Sequence, residues 1–239
     1  AYALTAVSSA FLLNAQAFAQ TTRGVAISGG FDPDLVPIPK NRNPFFTMVY
    51  TGRIYPEQGW NVLLEGLEAL AHRASDLATH FRLRLIGPVS TDAKLLDRLQ
   101  QFAQLNGMVE FIPRVARASA IREQQRADAL LHLAYRGKRG YLPVKFLEYL
   151  NADRPLVLIS QEDDLMEEIM VRTRTGVVIR SVDQLVDLLT HRIQDWRAGA
   201  TWTIDPDKTA LVEFSYPERM KQWVRQIEAW HNERTARPQ

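Results

Sequence analysis

Six times between residues 45 and 196, a short apolar run is followed by an amphipathic stretch. The runs at 46–51, 82–86, 109–112, 129–133, 156–159 and 177–179 have the length of strands and are mainly apolar. The stretches at 60–72, 93–105, 119–125, 144–150, 165–172 and 182–196 carry a helical period. Regular alternation with short connections predicts the α/β class, a doubly wound parallel sheet with helices on both faces. Ligands of such sheets collect beyond the carboxyl ends of the strands. The turns that follow the runs are therefore where chemistry is expected.

Ahead of this region, 3–7 reads as a strand, Ser8 and Ser9 as helix caps, 10–20 as a helix and 25–28 as a second strand, followed by a turn at 29–33. Residues 32–44 hold four prolines and read as a linker. A last amphipathic helix at 217–231 places Trp223, Ile227 and Trp230 on one face. No internal repeat interrupts the pattern.

Composition excludes several functions. Of 239 residues, 29 are basic and 27 acidic, a net charge of +2 without a Lys/Arg block, which argues against a nucleic-acid partner. The absence of cysteine rules out disulfides and thiolate metal sites, and five scattered histidines lack ligand spacing, so no metal is expected. The segment 11–20 superficially resembles a signal-peptide core. It lacks a basic start and is broken by Asn14 and Gln16, so a cytoplasmic protein is expected. No run approaches the ~20 apolar residues of a spanning helix, and any membrane contact would be peripheral.

Residues 140–160 read as loop, helix, tight turn and buried strand. Pro143 suits a first helical turn, and the start of that helix aims N–H groups and a positive dipole end at the space above the sheet. A diphosphate would suit that place, with Lys145 adding charge. One turn later, Glu148 is placed to accept hydrogen bonds from sugar hydroxyls. An ordinary crossover helix with Lys145 and Glu148 in solvent fits the same residues. After the first strand, Gly52 permits close backbone approach to a ligand, and Arg53 offers a fork matched to phosphate oxygens or, more plainly, a surface arginine.

The passage from Gly140 resembles the nucleotide-sugar motif of retaining GT-B glycosyltransferases of the family 4 (group 1) type: Glu, seven residues, Glu, Ala, a short turn, then Pro-Val-Val. Glu148 stands at the second glutamate, Asn151 to Arg154 at the turn and Pro155 at the strand start, while Gly140 holds the place of the first glutamate. The resemblance implies that Glu148 binds the ribose of the sugar donor and leaves the acid that faces the transferred sugar without an owner. Thr51-Gly52-Arg53-Ile54 is similar to the element whose arginine binds the pyrophosphate. The lysine that accompanies it in the family is Gln58 here, with Lys145 the candidate replacement. Gly87 matches the element that passes under the nucleotide. Arg114 and Val115 match the loop against which the base packs, and Leu142, Pro143 and Val144 complete the helix start beside the sugar donor.

The implied molecule is the Rossmann-like C-terminal half of a GT-B fold. Residues 1–31 would be the tail of an N-terminal acceptor domain, 32–44 the linker, 45–214 the nucleotide-sugar domain and 215–239 a C-terminal helix. Its activity would be transfer from a nucleotide sugar to a sugar or lipid-linked acceptor held by the N-terminal domain. Arg53 and Lys145 would stabilise the leaving diphosphate with no metal or cofactor. Two alternatives remain open: an inactive GT-B-like binding or scaffolding subunit, because the first glutamate and the lysine are absent, and a nucleotide-sugar epimerase of GT-B fold.

Overall fold

The computed structural model describes residues 2–36, 38–39, 41–88, 92–162 and 165–235, without the side chains of 104–106. Residues 37 and 40 of the expected linker and the last four of the expected C-terminal helix lie outside the described residues. The chain begins β1 (Leu4–Ala6), α1 (Ser9–Ala19), β2 (Gly24–Ala26). There follow β3 (Phe46–Thr51), α2 (Trp60–Arg73), α3 (Ser75–Ala78), β4 (Phe81–Ile86), α4 (Ala93–Asn106), β5 (Val109–Ile112) and α5 (Arg117–Arg126). The second half runs β6 (Ala129–Leu133), α6 (Val144–Leu150), β7 (Leu156–Ile159), α7 (Leu165–Thr173), β8 (Gly176–Ile179) and α8 (Val182–Arg197). Two helices close the chain, α9 (Lys208–Val212) and α10 (Tyr216–Thr235).

The expected parallel sheet forms with strand order β5-β4-β3-β6-β7-β8. The chain winds outward from β3 to β5, crosses back, and winds outward again from β6 to β8. The order therefore reverses between β3 and β6, and a crevice opens there at the carboxyl ends. All six residues of β3 and all five of β6 are buried. Alternate side chains feed two cores, as the pleat requires. Met48, Tyr50, Leu131 and Leu133 join Trp60 of α2 and Leu189 of α8 on one face. Val49 and Leu130 meet Phe146 of α6 and Met170 of α7 on the other. α3 and α9, of four and five residues, are too short to leave a readable period.

β1 and β2 form a separate parallel pair around α1. Ser8 caps α1, its Oγ accepting from Phe11 N at 3.3 Å. No α1 side chain is buried, and Leu13 and Phe18 are exposed. The turn at Phe31 joins the chain end through Phe31 N to Phe214 O (2.9 Å) and Tyr216 N to Phe31 O (2.8 Å). On α10, Trp223 and Trp230 are half-buried, while Tyr216, Met220, Val224 and Ile227 are exposed. The exposed apolar row is thus offset from the face read in the sequence, and Ile227 is its shared member.

Candidate functional site

A cleft of about 460 Å³ opens over the ends of β3 and β4, between the loop after β5 and helix α6. Seven of the expected residues line it: Gly52, Arg53, Gly87, Arg114, Val115, Lys145 and Glu148. Thr51, Arg117 and Gln124 also line it, and sequence reasoning missed them. The helix expected at 119–125 begins earlier, at Arg117, and this earlier start is what places the Arg117 side chain on the first turn of α5.

Local hydrogen bonds hold the walls in place. Tyr149 on α6 receives the amide of Thr51 (2.7 Å) and shares a bond with its hydroxyl (2.9 Å), and Gln124 on α5 donates to that hydroxyl at 3.2 Å. These groups are buried, and burial pushes the Tyr149 phenol up to about 12, so it remains neutral. The network clamps α5 and α6 to the end of β3 and so sets where Lys145 and Glu148 stand. Gly52 turns the chain out of β3 with φ at +92°, a conformation that suits glycine, and a β-carbon there would touch nothing within 4 Å. Its N–H donates to Ile86 O, and Gly87 N donates to Ile112 O, each at 2.9 Å.

Among the described residues the cleft is lined by four cationic side chains, Arg53, Arg114, Arg117 and Lys145, and by one acid, Glu148. Lys145 Nζ donates to Tyr50 Oη and lies 3.4 Å from Arg53 O. Burial lowers its pKa to about 7. Glu148 is held by Arg117, whose Nε and Nη2 donate to the same oxygen, Oε1, at 3.1 and 2.7 Å. Such a site suits a ligand with an anionic group at one end and hydroxyls within reach of Glu148. No group of three or more His, Asp or Glu side chains is clustered to hold a metal ion among the described residues.

Four expected residues do not line the cleft. Gly140 turns with φ +72° against the start of α1, where a β-carbon would lie 2.6 Å from Ser8 Oγ and 2.8 Å from Ala10 Cβ. Leu142 packs against the core that holds Phe146, Pro143 takes the position just before the first residue of α6 without a side-chain bond to it, and Val144 is exposed. The helix start thus contributes to the cleft through Lys145 and Glu148, one turn apart, and the side chains before them face elsewhere. Gln58, at the position of the expected lysine, is buried outside the cleft. It accepts from Tyr55 N at 3.1 Å and donates to Leu133 O at 2.9 Å.

Residues 46–195 match the glycosyl transferases group 1 family, a stretch that covers most of the chain and contains every cleft residue named above. The chain belongs to that family. No curated protein matches this group 1 glycosyl transferase by sequence. Among solved structures it resembles Anabaena Alr3699/HepE in complex with UDP-glucose, with TM-score 0.70, 17% identity, and coverage of 96% of this chain and 64% of that one. It also resembles a mutant of S. aureus TarM in complex with Fondaparinux, alpha-GlcNAc-glycerol and UDP (TM-score 0.68, 12% identity, coverage 94% and 43%). A third is the apo lipopolysaccharide outer core galactosyltransferase WaaB (TM-score 0.61, 16% identity, coverage 96% and 62%). At these identities the likeness establishes the fold, the Rossmann-like architecture of GT-B enzymes. The group 1 transferase described here spans less than two thirds of each of these chains. None of its described helices is long and apolar enough to cross a membrane.

Proposed function

We propose that this chain is the sugar-donor-binding part of a retaining, metal-independent glycosyltransferase of the family 4 type, and that its sugar donor is a UDP-activated sugar. The observation that carries the reading is the convergence of Arg53, Arg114, Lys145 and Glu148, from three separate segments, on one cleft at the switch point of the sheet. Arg53 and Lys145 would take the diphosphate and Glu148 the ribose, with the base against Arg114 and Val115. When the bond between the anomeric carbon and the diphosphate oxygen breaks, negative charge builds on the leaving UDP. Fixed cations beside that oxygen stabilise the transition state more than the ground state, and one such donor is typically worth about 2.7–4 kcal/mol. The UDP and UDP-glucose complexes of the similar structures support the choice of base.

On this reading 1–31 and 215–239 belong with an acceptor-side domain, 32–44 links, and 45–214 holds the sugar donor. The acceptor would be met by portions of the longer GT-B chains that this chain does not match. A second reading, a binding subunit without transfer activity, is favoured by the tight seat of Gly140 against Ser8, which leaves no room for the first glutamate. Calorimetric titration with UDP, GDP and ADP in the presence of EDTA tests sugar-donor binding. Failure of all three to bind the folded chain would sink it. Binding without transfer is expected of this chain on either reading, whereas transfer from labelled UDP-sugars to simple acceptors would sink the second.

A further inference from the structure

Glu148 presents its two oxygens unequally. Oε1 accepts both donors of the Arg117 fork, Nε at 3.1 Å and Nη2 at 2.7 Å. Oε2 accepts no hydrogen bond among the described residues. The carboxylate is largely shielded, its side chain 18% exposed, whereas Arg117 is 63% exposed and approaches from α5, across the cleft from α6. A carboxylate that grips a vicinal diol uses one oxygen for each hydroxyl. Here one oxygen is already engaged by Arg117 and the other is open.

A ribose hydroxyl that takes the side of Oε1 facing α5 must displace Arg117. That exchange gives up two N–H bonds between opposite charges for one O–H bond from a neutral hydroxyl. Bonds with ionised partners on both sides are the shorter and stronger kind, so the exchange is unfavourable. Arg117 is also the first residue of its helix, and that helix is clamped to the end of β3 through Gln124. Its attachment point therefore stays beside Glu148 when a ligand enters.

We propose that Arg117 is a specificity-determining residue for the sugar donor: it remains on Glu148 in the nucleotide complex, so that the carboxylate reads one ribose hydroxyl through Oε2 instead of a vicinal pair. This rests on the sugar-donor-binding reading of the cleft. It separates this chain from a site in which an unencumbered glutamate holds both hydroxyls, and it makes ribose recognition one-sided.

The test is calorimetry on the full chain with UDP, 2′-deoxy-UDP and 3′-deoxy-UDP, for the wild type and Arg117→Ala. In the wild type one deoxy analogue binds within about twofold of UDP and the other at least about tenfold more weakly, the loss of one hydrogen bond to a charged group. In Arg117→Ala both oxygens of Glu148 are open, and both analogues fall at least about tenfold below UDP. Arg117 is mostly exposed, and a thermal melt of the variant confirms that it folds. Equal losses for the two analogues in the wild type overturn the proposal, as does no loss for either. An unchanged pattern in Arg117→Ala also overturns it. If UDP itself does not bind the folded wild type, the sugar-donor-binding reading fails first and the role of Arg117 with it. If UDP binds and only the analogue pattern fails, the cleft keeps its function and Arg117 loses its role.

Discussion

The ammonium of Lys145 lies 3.9 Å from the centroid of the Tyr50 ring and donates to its hydroxyl. Burial keeps the Tyr50 phenol neutral by raising its pKa well above the usual tyrosine value. The phenol therefore offers Lys145 a dipole and a ring face but no counter-charge, and burial holds the amine near a pKa of about 7. A diphosphate entering the cleft would supply the missing charge.

Binding of UDP is accordingly expected to take up a proton above pH 7, as the anion draws Lys145 back into its charged form. Affinity should fall with rising pH by at most about tenfold per unit until the pKa of the complex is reached. In the ligand-free chain the unfolded state holds this proton over a range where the folded state has lost it, so Lys145 makes stability rise between about pH 7 and its unfolded pKa of about 10.4. Titrations in buffers of different ionisation heat count the protons directly. A pH-independent affinity, or one equally pH-dependent in Lys145→Arg, would contradict the assignment.

Gln58 is expected to act through the loop that carries Arg53. Its side chain ties Tyr55 N and Leu133 O together across β3 and β6, so Gln58→Leu should cost about 1–3 kcal/mol of stability by leaving buried groups unpaired. Gln58→Lys restores the residue type of the family motif but buries a charge away from the cleft. It should destabilise the chain without improving UDP affinity. Urea denaturation and calorimetry read the two effects separately, and tighter UDP binding by Gln58→Lys would refute the placement.

Restoring the first glutamate should fail for a steric reason. Gly140→Glu puts a β-carbon in a left-handed backbone and within 2.6 Å of Ser8 Oγ. The backbone alone should cost about 1–2 kcal/mol. Combining it with Ser8→Gly should recover part of the loss, in proportion to the clash relieved. Melting temperatures of the single and double variants decide this. A Gly140→Glu chain as stable as its parent would show that the segment around Ser8 does not press on the loop.

His132 sits in the core between the Phe146 and Tyr149 rings, at 5.5 and 6.2 Å, with neither ring nitrogen hydrogen-bonded among the described residues. Burial, and secondarily Lys145, push its pKa well below the usual value. Below about pH 6.5 the unfolded chain binds a proton that the folded chain refuses, so stability should fall with decreasing pH by up to about 1.4 kcal/mol per unit. His132→Phe should remove this slope with little change at pH 8. Urea midpoints at pH 5 and pH 8 for both proteins provide the check, and identical acid losses would exonerate His132.

Much of this molecule is local in origin. Short, mainly apolar runs between turn residues define β3, β6 and β7 at their observed limits, because a strand buried on both faces needs little beyond apolar side chains in sequence. Gly52 and Gly87 mark the turns for the same reason: their backbone conformation excludes most other residues. Arg53, Lys145 and Glu148 were legible as candidates because they sit at fixed offsets from such turns. Their settings were not. Thr51 meets Tyr149 across 98 positions and Arg117 meets Glu148 across 31, and Gly140 is braced by Ser8 from the far end of the chain. Periodicity specifies which face of a segment is buried, but which side chains meet depends on how the crossovers lay α5, α6 and α1 beside one another. Sequence alone therefore determined the sheet and seven of the residues that line the cleft. The tertiary structure decided that burial lowers the pKa of Lys145 and that Glu148 has one oxygen already engaged by Arg117, because both follow from neighbours that only packing supplies.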